Sequence, residues 1–357
     1  MSTGVSRRRL LAGAGVGALG ALGACTPAPA TVAGQPQVPC HGVTQAGVAR
    51  PSLAQTHCDL SIWDTTAPDQ VLDRLSASIT ALSDGTGLAG LPAANLTVTV
   101  GVGPRLVPAA MPGAEDLPVF PGDQTDERHR GGDLLIQVCA EDPHVVSLAV
   151  AALAGDDLTP RWRQAGFRGP SRPDGTSRNL LGFVDGLVIP RGEAELREEV
   201  WLDAPSPVRG GTIAVVRRIR LDVEGFLGLP LSRQERVFGR RRDTAEPLSG
   251  GGPDADIDLG AKTPDGQYLV PADAHVRRAH PLTSGVGLML RRGCTFDNGP
   301  GDRGLLFVSF QKELRTFVAT QHRLVEGDAL TPYMTTTASA TFLILPGFTP
   351  NRPLRLP

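Results

Sequence analysis

The sequence predicts an α+β fold made of two similar halves. Two strand-like segments, 95–100 and 133–139, lie between segments with helical periodicity. A similar alternation of strand and helix patterns returns in the second half of the chain, which favours two α+β units. The length of 357 residues, with 41% apolar and 20% charged residues, is typical of a globular protein with a sizeable core.

Each predicted element depends on a local pattern. Segment 95–100 alternates at period two, as a half-buried strand does, whereas 133–139 is mostly apolar, as a central strand is. Asp142 is placed to cap a following helix, and Ser232 and Glu235 have capping-box spacing. The sequence predicts helices over 69–82, 143–153, 232–238 and 315–325, and strands over 95–100, 133–139, 212–220, 287–290 and 304–310.

Loops rich in Gly, Pro, Asp and Arg interrupt these elements. The segments 168–178 and 239–265 are long for a compact domain, so we expect ordered loops over a site. The boundary between the halves falls in the loop region 190–208. We therefore predict an N-terminal half over 40–198 and a C-terminal half over 199–357.

The start of the chain has the features of an export signal. Residues 1–24 place the pair Arg7-Arg8 before a Gly/Ala/Leu run, which resembles a twin-arginine signal; an ordinary Sec signal is the alternative. Cys25 follows small residues, as the lipidated cysteine of a lipoprotein does, and cleavage near Ala30 into a soluble product is the alternative. Residues 25–39 are rich in Pro and Ala and are predicted to form a flexible tether.

Composition and missing motifs narrow the function. The formal charge of −2, from 35 basic and 37 acidic residues, provides no basic surface for nucleic acid. No apolar run of membrane-spanning length follows the first 25 residues. The sequence has no Cys-x-x-Cys, no zinc-type histidine pair, no Gly-x-Ser-x-Gly and no phosphate loop. These absences point away from zinc hydrolases, serine esterases and P-loop enzymes.

Four cysteines remain besides Cys25. Cys139 lies in an apolar strand pattern, so we expect a buried thiol that packs as a small apolar side chain. Cys40 and Cys58 are candidates for a disulfide outside the cytosol, but spacing alone does not fix connectivity.

Two segments carry candidate chemistry. Asp185 stands between Gly182 and Gly186 after an apolar run, where a turn brings backbone close to a neighbour; an ordinary β-turn is the alternative. His275 lies sixteen residues before Arg291, although a lone histidine is more commonly a surface or core residue than a ligand.

These segments, with others in the same order, resemble the dye-decolorizing peroxidases, a family of haem enzymes. Gly-Phe-Val-Asp-Gly at 182–186 is similar to the family's Gly-x-x-Asp-Gly motif, and the resemblance extends over about 40–347. It is closest to the exported branch, which includes deferrochelatases. Further similar stretches are 45–48, 120–123, 131–135, 161–167, 178–181, 209–212, 234–240, 275–277, 291–293 and 304–307.

The resemblance implies a specific architecture. The fold would be two ferredoxin-like halves with antiparallel sheets and peripheral helices, in a dimeric, α+β barrel-like arrangement. One haem b per chain would be held mainly by the C-terminal half, in the largest apolar cleft. A homo-oligomer is consistent with this expectation.

The resemblance also implies roles for particular residues. His275 would be the proximal ligand of the haem iron. On the distal side, Asp185 would carry the peroxide proton, and Arg291 would stabilise charge on the leaving oxygen. The residues implied to contact the haem are His275, Arg291, Gly182, Phe183, Gly186 and Phe307.

The implied function is an exported peroxidase. It would use hydrogen peroxide to oxidise phenolic or dye-like one-electron donors through a ferryl intermediate. A haem-binding deferrochelatase that releases iron is the alternative. The protein would be extracytoplasmic, with small aromatic reductants as partners and no nucleic acid. Its only membrane contact would be a lipid anchor at Cys25, without which it would be secreted.

Three departures from the family pattern bear on the site. The apolar segment 187–189 replaces polar residues after Gly186, which predicts a raised pKa or altered aim for Asp185. Cys294 stands where similar sequences commonly have tyrosine. Pro332 stands where an acid often precedes the C-terminal tyrosine, so the hydrogen bond to the proximal histidine is in question.

Overall fold

Strands from both halves of the sequence join in one antiparallel sheet. The structure is a computed structural model that describes residues 37–172, 175–203 and 207–357. The export signal and most of the tether lie outside the described residues. The strands are β1 (His57–Asp64), β2 (Thr97–Val102), β3 (Leu134–Ala140), β4 (Thr159–Phe167), β5 (Ser177–Arg178), β6 (Val184–Asp185), β7 (Thr212–Leu221), β8 (Leu290–Arg291), β9 (Cys294–Asp297), β10 (Arg303–Gln311) and β11 (Met334–Ile344).

The large sheet closes on itself. Its order is β7-β11-β2-β3-β1-β4-β9-β10-β8, and β7 also pairs with β10. Strands β8 and β9 pair with successive parts of β10. The N-terminal and C-terminal strands meet at two seams. At one, Gly101 and Val102 of β2 pair with β11; at the other, Phe167 of β4 pairs with Thr295 of β9.

Helices pack against this sheet, and the apolar face of the first helix explains its position. The first helix starts at a proline, which suits a first helical turn. Its side chains Val71, Leu72, Leu75 and Ile79 follow helical spacing and are buried. Burial of each contributes about 1.5–3 kcal/mol relative to exposure. The helices are α1 (Pro68–Ser83), α2 (Pro143–Leu153), α3 (Gly192–Glu199), α4 (Val223–Leu227), α5 (Leu231–Phe238), α6 (His275–Arg278), α7 (Pro281–Ser284) and α8 (Leu314–Val325).

Most of the predicted elements are present, with one capping error and one loop that contains a helix. Helices α1, α2, α5 and α8 confirm the four predicted helices. Asp142 caps α2, because its carboxylate accepts from the His144 N–H at 2.8 Å. The capping box at Ser232 is wrong: α5 is preceded by Pro230, and Glu235 pairs with Arg241 at 2.7 Å instead. The predicted loop region 190–208 contains α3.

The predicted strands are present, although β8 starts only at Leu290. Six strands escape the sequence patterns, and the longest of them are β1, β4 and β11. Strand β1 escapes because a charged residue, Asp59, is fully buried within it and pairs with Arg163 of β4 at 2.8 Å. Burial raises the pKa of Asp59, against the Arg163 charge. Strand β4 exposes most of its side chains. Strand β11 buries threonine, serine and alanine along its middle and large apolar residues only at its end, Phe342 to Ile344.

The cysteine pairing differs from the candidate pair. Cys58 bonds to Cys294, so the pairing of Cys40 with Cys58 is wrong. The closed sheet explains this outcome. Only one strand, β4, separates β9 from β1, whereas Cys40 lies in the segment before the first strand. Cys40 is a free, half-buried thiol. Cys139 is free and buried, as predicted.

The described residues form one compact unit. No helix in the described ranges is long and apolar enough to cross a membrane. The boundary between the halves at 198/199 stays a prediction.

Candidate active site

A deep apolar cavity lies between the C-terminal strands and the segments that cover them. It contains about 1,860 Å³ of space, with its open mouth included, and all of its lining residues lie between Asn179 and Met334. Its walls come from the turn before β6, from β7 and β10, from α6 and α8, and from the segment that leads into β8. Asp185, Arg291 and His275 all line it.

A tight turn holds Asp185. The Asn179 side-chain oxygen accepts from the Leu181 and Phe183 N–H groups, each at 3.1 Å. Gly182 and Gly186 have φ of 87° and 85°, a region that L side chains rarely occupy. The two-residue pairing of β5 with β6 then ends at Asp185. The glycines flanking the aspartate are therefore required by the backbone.

Arg291 and Asp185 form the polar end of the cavity. Asp185 Oδ1 accepts from the Gly186 N–H at 2.6 Å and lies 3.4 Å from Arg291 Nη2. Arg291 Nη1 donates to the Val188 carbonyl at 3.0 Å. Burial raises the pKa of Asp185, but the Arg291 charge and the Gly186 hydrogen bond outweigh it and hold the pKa below its ordinary value. The raised pKa expected from 187–189 is wrong, because that segment supplies a carbonyl that orients the guanidinium.

His275 begins α6 and contacts a buried carboxylate. Its Nδ1 lies 2.6 Å from Oδ2 of Asp328, whose side chain is fully buried and also accepts from the Leu330 N–H at 2.9 Å. Burial lowers the pKa of His275, but the Asp328 charge outweighs it and the pKa is raised. The doubt raised by Pro332 is thus resolved by an acid four residues earlier. Because Nδ1 is engaged, Nε2 is the nitrogen available to a ligand.

The remaining predicted contact residues divide into two groups. Phe183, Gly186 and Phe307 line the cavity, and Phe183 stacks on Phe238 with ring centroids 3.8 Å apart. Gly182 does not line it. Its carbonyl accepts from Arg178 Nη1 at 2.7 Å, so its part is to shape the turn.

Sequence reasoning missed two charged residues at this site. Asp328 follows a glycine after α8, in no recognisable motif. Arg217 lies in the middle of β7, is 1% exposed, and lines the cavity. Its Nη2 pairs with Asp123 and Thr336, while its Nε and Nη1 have no partner among the described residues.

Comparison with known proteins identifies the family. The model of the Dyp-type peroxidase N-terminal region matches residues 45–168, and that of the C-terminal region matches 176–349. A dye-decolorizing peroxidase of Thermobifida fusca is 34% identical, over 84% of this chain and 80% of its own. The chain belongs to the Dyp-type peroxidase family.

Other Dyp-type peroxidases and a differently named relative are also similar. A deferrochelatase of Escherichia coli O157:H7 is 32% identical over 96% of this chain and 94% of its own. A DyP-type peroxidase of Streptomyces coelicolor has a TM-score of 0.83 at 31% identity, over 92% of this chain and 98% of its own. Ferric DtpA from Streptomyces lividans has a TM-score of 0.82 at 32% identity and the same coverage. The mixed α+β fold with a large antiparallel sheet is thus that of the family.

Dyp-type peroxidases are haem-dependent enzymes, and the residues of this cavity fit a haem. An imidazole with Nε2 available is a haem-iron ligand. The apolar walls suit a porphyrin. The unpartnered N–H groups of Arg217 suit a carboxylate, which a porphyrin carries on its side chains. The cavity therefore offers a donor for the metal, a surface for the macrocycle and a cation for its acidic edge.

Proposed function

We propose that the chain is an exported peroxidase that uses hydrogen peroxide to oxidise phenolic or dye-like aromatic donors, with one haem b per chain on His275. One observation carries the proposal: a carboxylate of lowered pKa and a guanidinium, Asp185 and Arg291, line the same cavity as an imidazole whose Nδ1 is already engaged. The family models and the named peroxidase relatives support it.

When bound, the haem supplies the two-electron reduction of hydrogen peroxide and two one-electron oxidations of donors. Asp185 is ionised because its pKa is lowered. Its Oδ1 is held by Gly186 and Arg291, and no hydrogen bond reaches Oδ2 within the described ranges. The carboxylate can therefore accept a proton from hydrogen peroxide at Oδ2 and later return it to the leaving oxygen.

Arg291 acts as a fixed positive charge in this scheme. Its Nη1 is held by the Val188 carbonyl and its Nη2 points to Asp185, so the guanidinium needs no reorganisation during the reaction. Such a preorganised cation stabilises negative charge that develops on the leaving oxygen. Asp328 holds the His275 ring by Nδ1, which fixes its orientation and raises its basicity as a ligand.

The proposal includes export and attachment to the membrane. The pair Arg7-Arg8 supports twin-arginine transport, and Cys25 supports a lipid anchor on the outer side of the membrane, with secretion as the unanchored outcome. A homo-oligomer is part of the same proposal.

Stopped-flow spectroscopy of the haem-loaded protein tests the activity. We expect one equivalent of hydrogen peroxide to change the haem spectrum, and two equivalents of a phenol to restore it. Asp185→Asn should slow the first step and leave haem content unchanged. A wild-type haem complex that neither responds to peroxide nor oxidises phenols or an anthraquinone dye would contradict the proposal.

A second candidate is iron release from haem, which the similarity to the E. coli deferrochelatase favours. The two functions give different products from the same complex. Iron captured by a ferrous chelator, with intact metal-free porphyrin recovered by chromatography, supports the second candidate. Retained iron with rapid turnover of peroxide and donor supports the first.

A further inference from the structure

The Cys58–Cys294 disulfide crosses a whole strand of the sheet. Cys58 lies on β1 and Cys294 on β9, with β4 between them. The residue of β4 opposite Cys58 is Gly166. A Cβ there would lie 2.7 Å from the Cys294 sulfur and 3.0 Å from the Cys58 sulfur. The bond can therefore pass over β4 only because that position has no side chain.

The disulfide lies at the weaker connection of β4. Strands β1 and β4 pair along their whole length. In contrast, β4 and β9 share a single residue pair, Phe167 with Thr295. Few backbone hydrogen bonds hold this seam, so the covalent bond adds to the side-chain hydrogen bonds that cross it. These join Gln164 to Asn298 at 3.1 Å and Arg168 to the Arg292 carbonyl.

Cys294 follows Arg291 by three residues, and both residues pair with strand β10. Arg291 pairs with Ser309 of β10, and Cys294 pairs with Leu306 of the same strand. Between them, the Arg292 N–H donates to the Val308 carbonyl at 2.8 Å. Backbone hydrogen bonds thus hold 291–294 on its β10 side. On its opposite side, the disulfide holds the end of this segment.

We propose that the Cys58–Cys294 disulfide is a positioning device for Arg291. It holds 291–294 against both β10 and the N-terminal strands, which keeps the guanidinium between Asp185 and the Val188 carbonyl. Cys58 and Cys294 are then positioning residues for the peroxide step. This inference rests on the proposed peroxidase function, and its first test does not depend on that function.

Hydrogen exchange of the haem-free protein measures the restraint directly. Cys58→Ser opens the bond without altering the sequence of 287–294. Cys139→Ser is the matched control, because Cys139 is a buried free thiol directly opposite Cys58 in the β1–β3 ladder. We expect faster exchange in peptides spanning 287–294 for Cys58→Ser only. Equal exchange in the wild type and both variants would overturn the proposal.

A double-mutant cycle tests the consequence for peroxide. We expect Cys58→Ser to slow the peroxide reaction by about tenfold or more, as a small misplacement of a catalytic group does, and Cys139→Ser to leave it unchanged. In an Arg291→Leu background, opening the bond should slow the peroxide reaction by less than about twofold, because the group that the disulfide positions is gone. A wild-type rate in Cys58→Ser, or equal losses in both backgrounds, would overturn the proposal.

Reduction of folded, haem-loaded wild type by a phosphine gives the same comparison if Cys58→Ser folds poorly. The reduced protein should lose peroxide reactivity to the same extent and recover it on reoxidation. Unchanged reactivity after complete reduction, verified by thiol labelling, would overturn the proposal. A wild-type haem complex without any peroxide reaction would instead contradict the proposed function. The hydrogen-exchange comparison alone would then test whether the disulfide positions Arg291.

Discussion

The His275 Nδ1 lies 2.6 Å from the Asp328 carboxylate, although 53 positions separate the two residues. Asp328 is fully buried, so its charge acts through a medium of low polarity and is felt strongly by the imidazole. The contact fixes which ring nitrogen carries the proton and leaves Nε2 for a metal. The ring is thereby oriented before any ligand arrives.

Asp328→Asn should weaken haem binding and raise the reduction potential of the haem. The amide keeps the size of the side chain but removes the charge that makes the imidazole electron-rich. Loss of such a partner typically costs about 10–100-fold in metal affinity or activity. Haem transfer to apomyoglobin and a potentiometric titration measure the two effects.

Asp273→Asn is the control for this change. Asp273 precedes His275 by two residues and contacts the same turn through its backbone carbonyl, which accepts from the Ala329 N–H. The control should retain the wild-type potential. Equal potentials in the Asp328 variant and the wild type would show that the carboxylate does not tune the imidazole.

His275→Ala should abolish stable haem binding, and added imidazole should restore a haem spectrum by occupying the vacated space. His280→Ala is the matched control. His280 also lines the cavity, but its Nδ1 already accepts from the Leu282 N–H at 3.2 Å at the start of α7. Absorbance titration with haem compares the variants. Undiminished haem affinity in His275→Ala would remove this residue as the ligand.

Local patterns predicted the elements whose side chains repeat with helical or strand periodicity, and they singled out the glycine-flanked turn at Asp185. The role of Asp185 in the site came from the family resemblance. They missed what depends on distant partners. The burial of Asp59 in β1 needs Arg163 from β4. The acid beside His275 comes from a different helix end. In each case the stabilising partner is adjacent only after the chain has folded.

The cysteines show the same limit. Sequence alone placed Cys139 in the core because its neighbours are apolar. It did not identify the partner of Cys58, which is 236 positions away. That pairing follows from closure of the sheet and from the missing side chain at Gly166, neither of which a local pattern contains.

Export should fail when Arg7 and Arg8 are both changed to lysine, because the guanidinium pair is not replaced by two ammonium groups at a site that recognises its geometry. Arg9→Lys is the control, since it leaves the pair intact. Cell fractionation and immunoblotting of the precursor measure the result. Normal export of the double-lysine protein would indicate the Sec route.

Asp185→Asn and Arg291→Leu should both slow the peroxide reaction, for different reasons. The first removes a proton carrier, which is typically worth about 10²–10⁴-fold. The second removes a fixed charge at the developing oxyanion, worth about 10²–10³-fold. The two expected rate losses therefore overlap, so the pH dependence of the rate must distinguish the two roles.

The direction of the pH effect follows from the cause of the shift in the Asp185 pKa. In the wild type, Arg291 holds that pKa below its ordinary value of about 4. The carboxylate therefore stays ionised, and the reaction stays fast, at pH values where a free aspartate is already half protonated. In Arg291→Leu the main lowering influence is gone while burial still favours the neutral acid. The acid limb should therefore persist and move to higher pH. In Asp185→Asn the acid limb should disappear, because no carboxyl group is left to protonate.

Stopped-flow rates measured above and below the ordinary carboxyl pKa, on samples checked for haem retention, distinguish these outcomes. An acid limb that survives in Asp185→Asn would assign the proton step to another group.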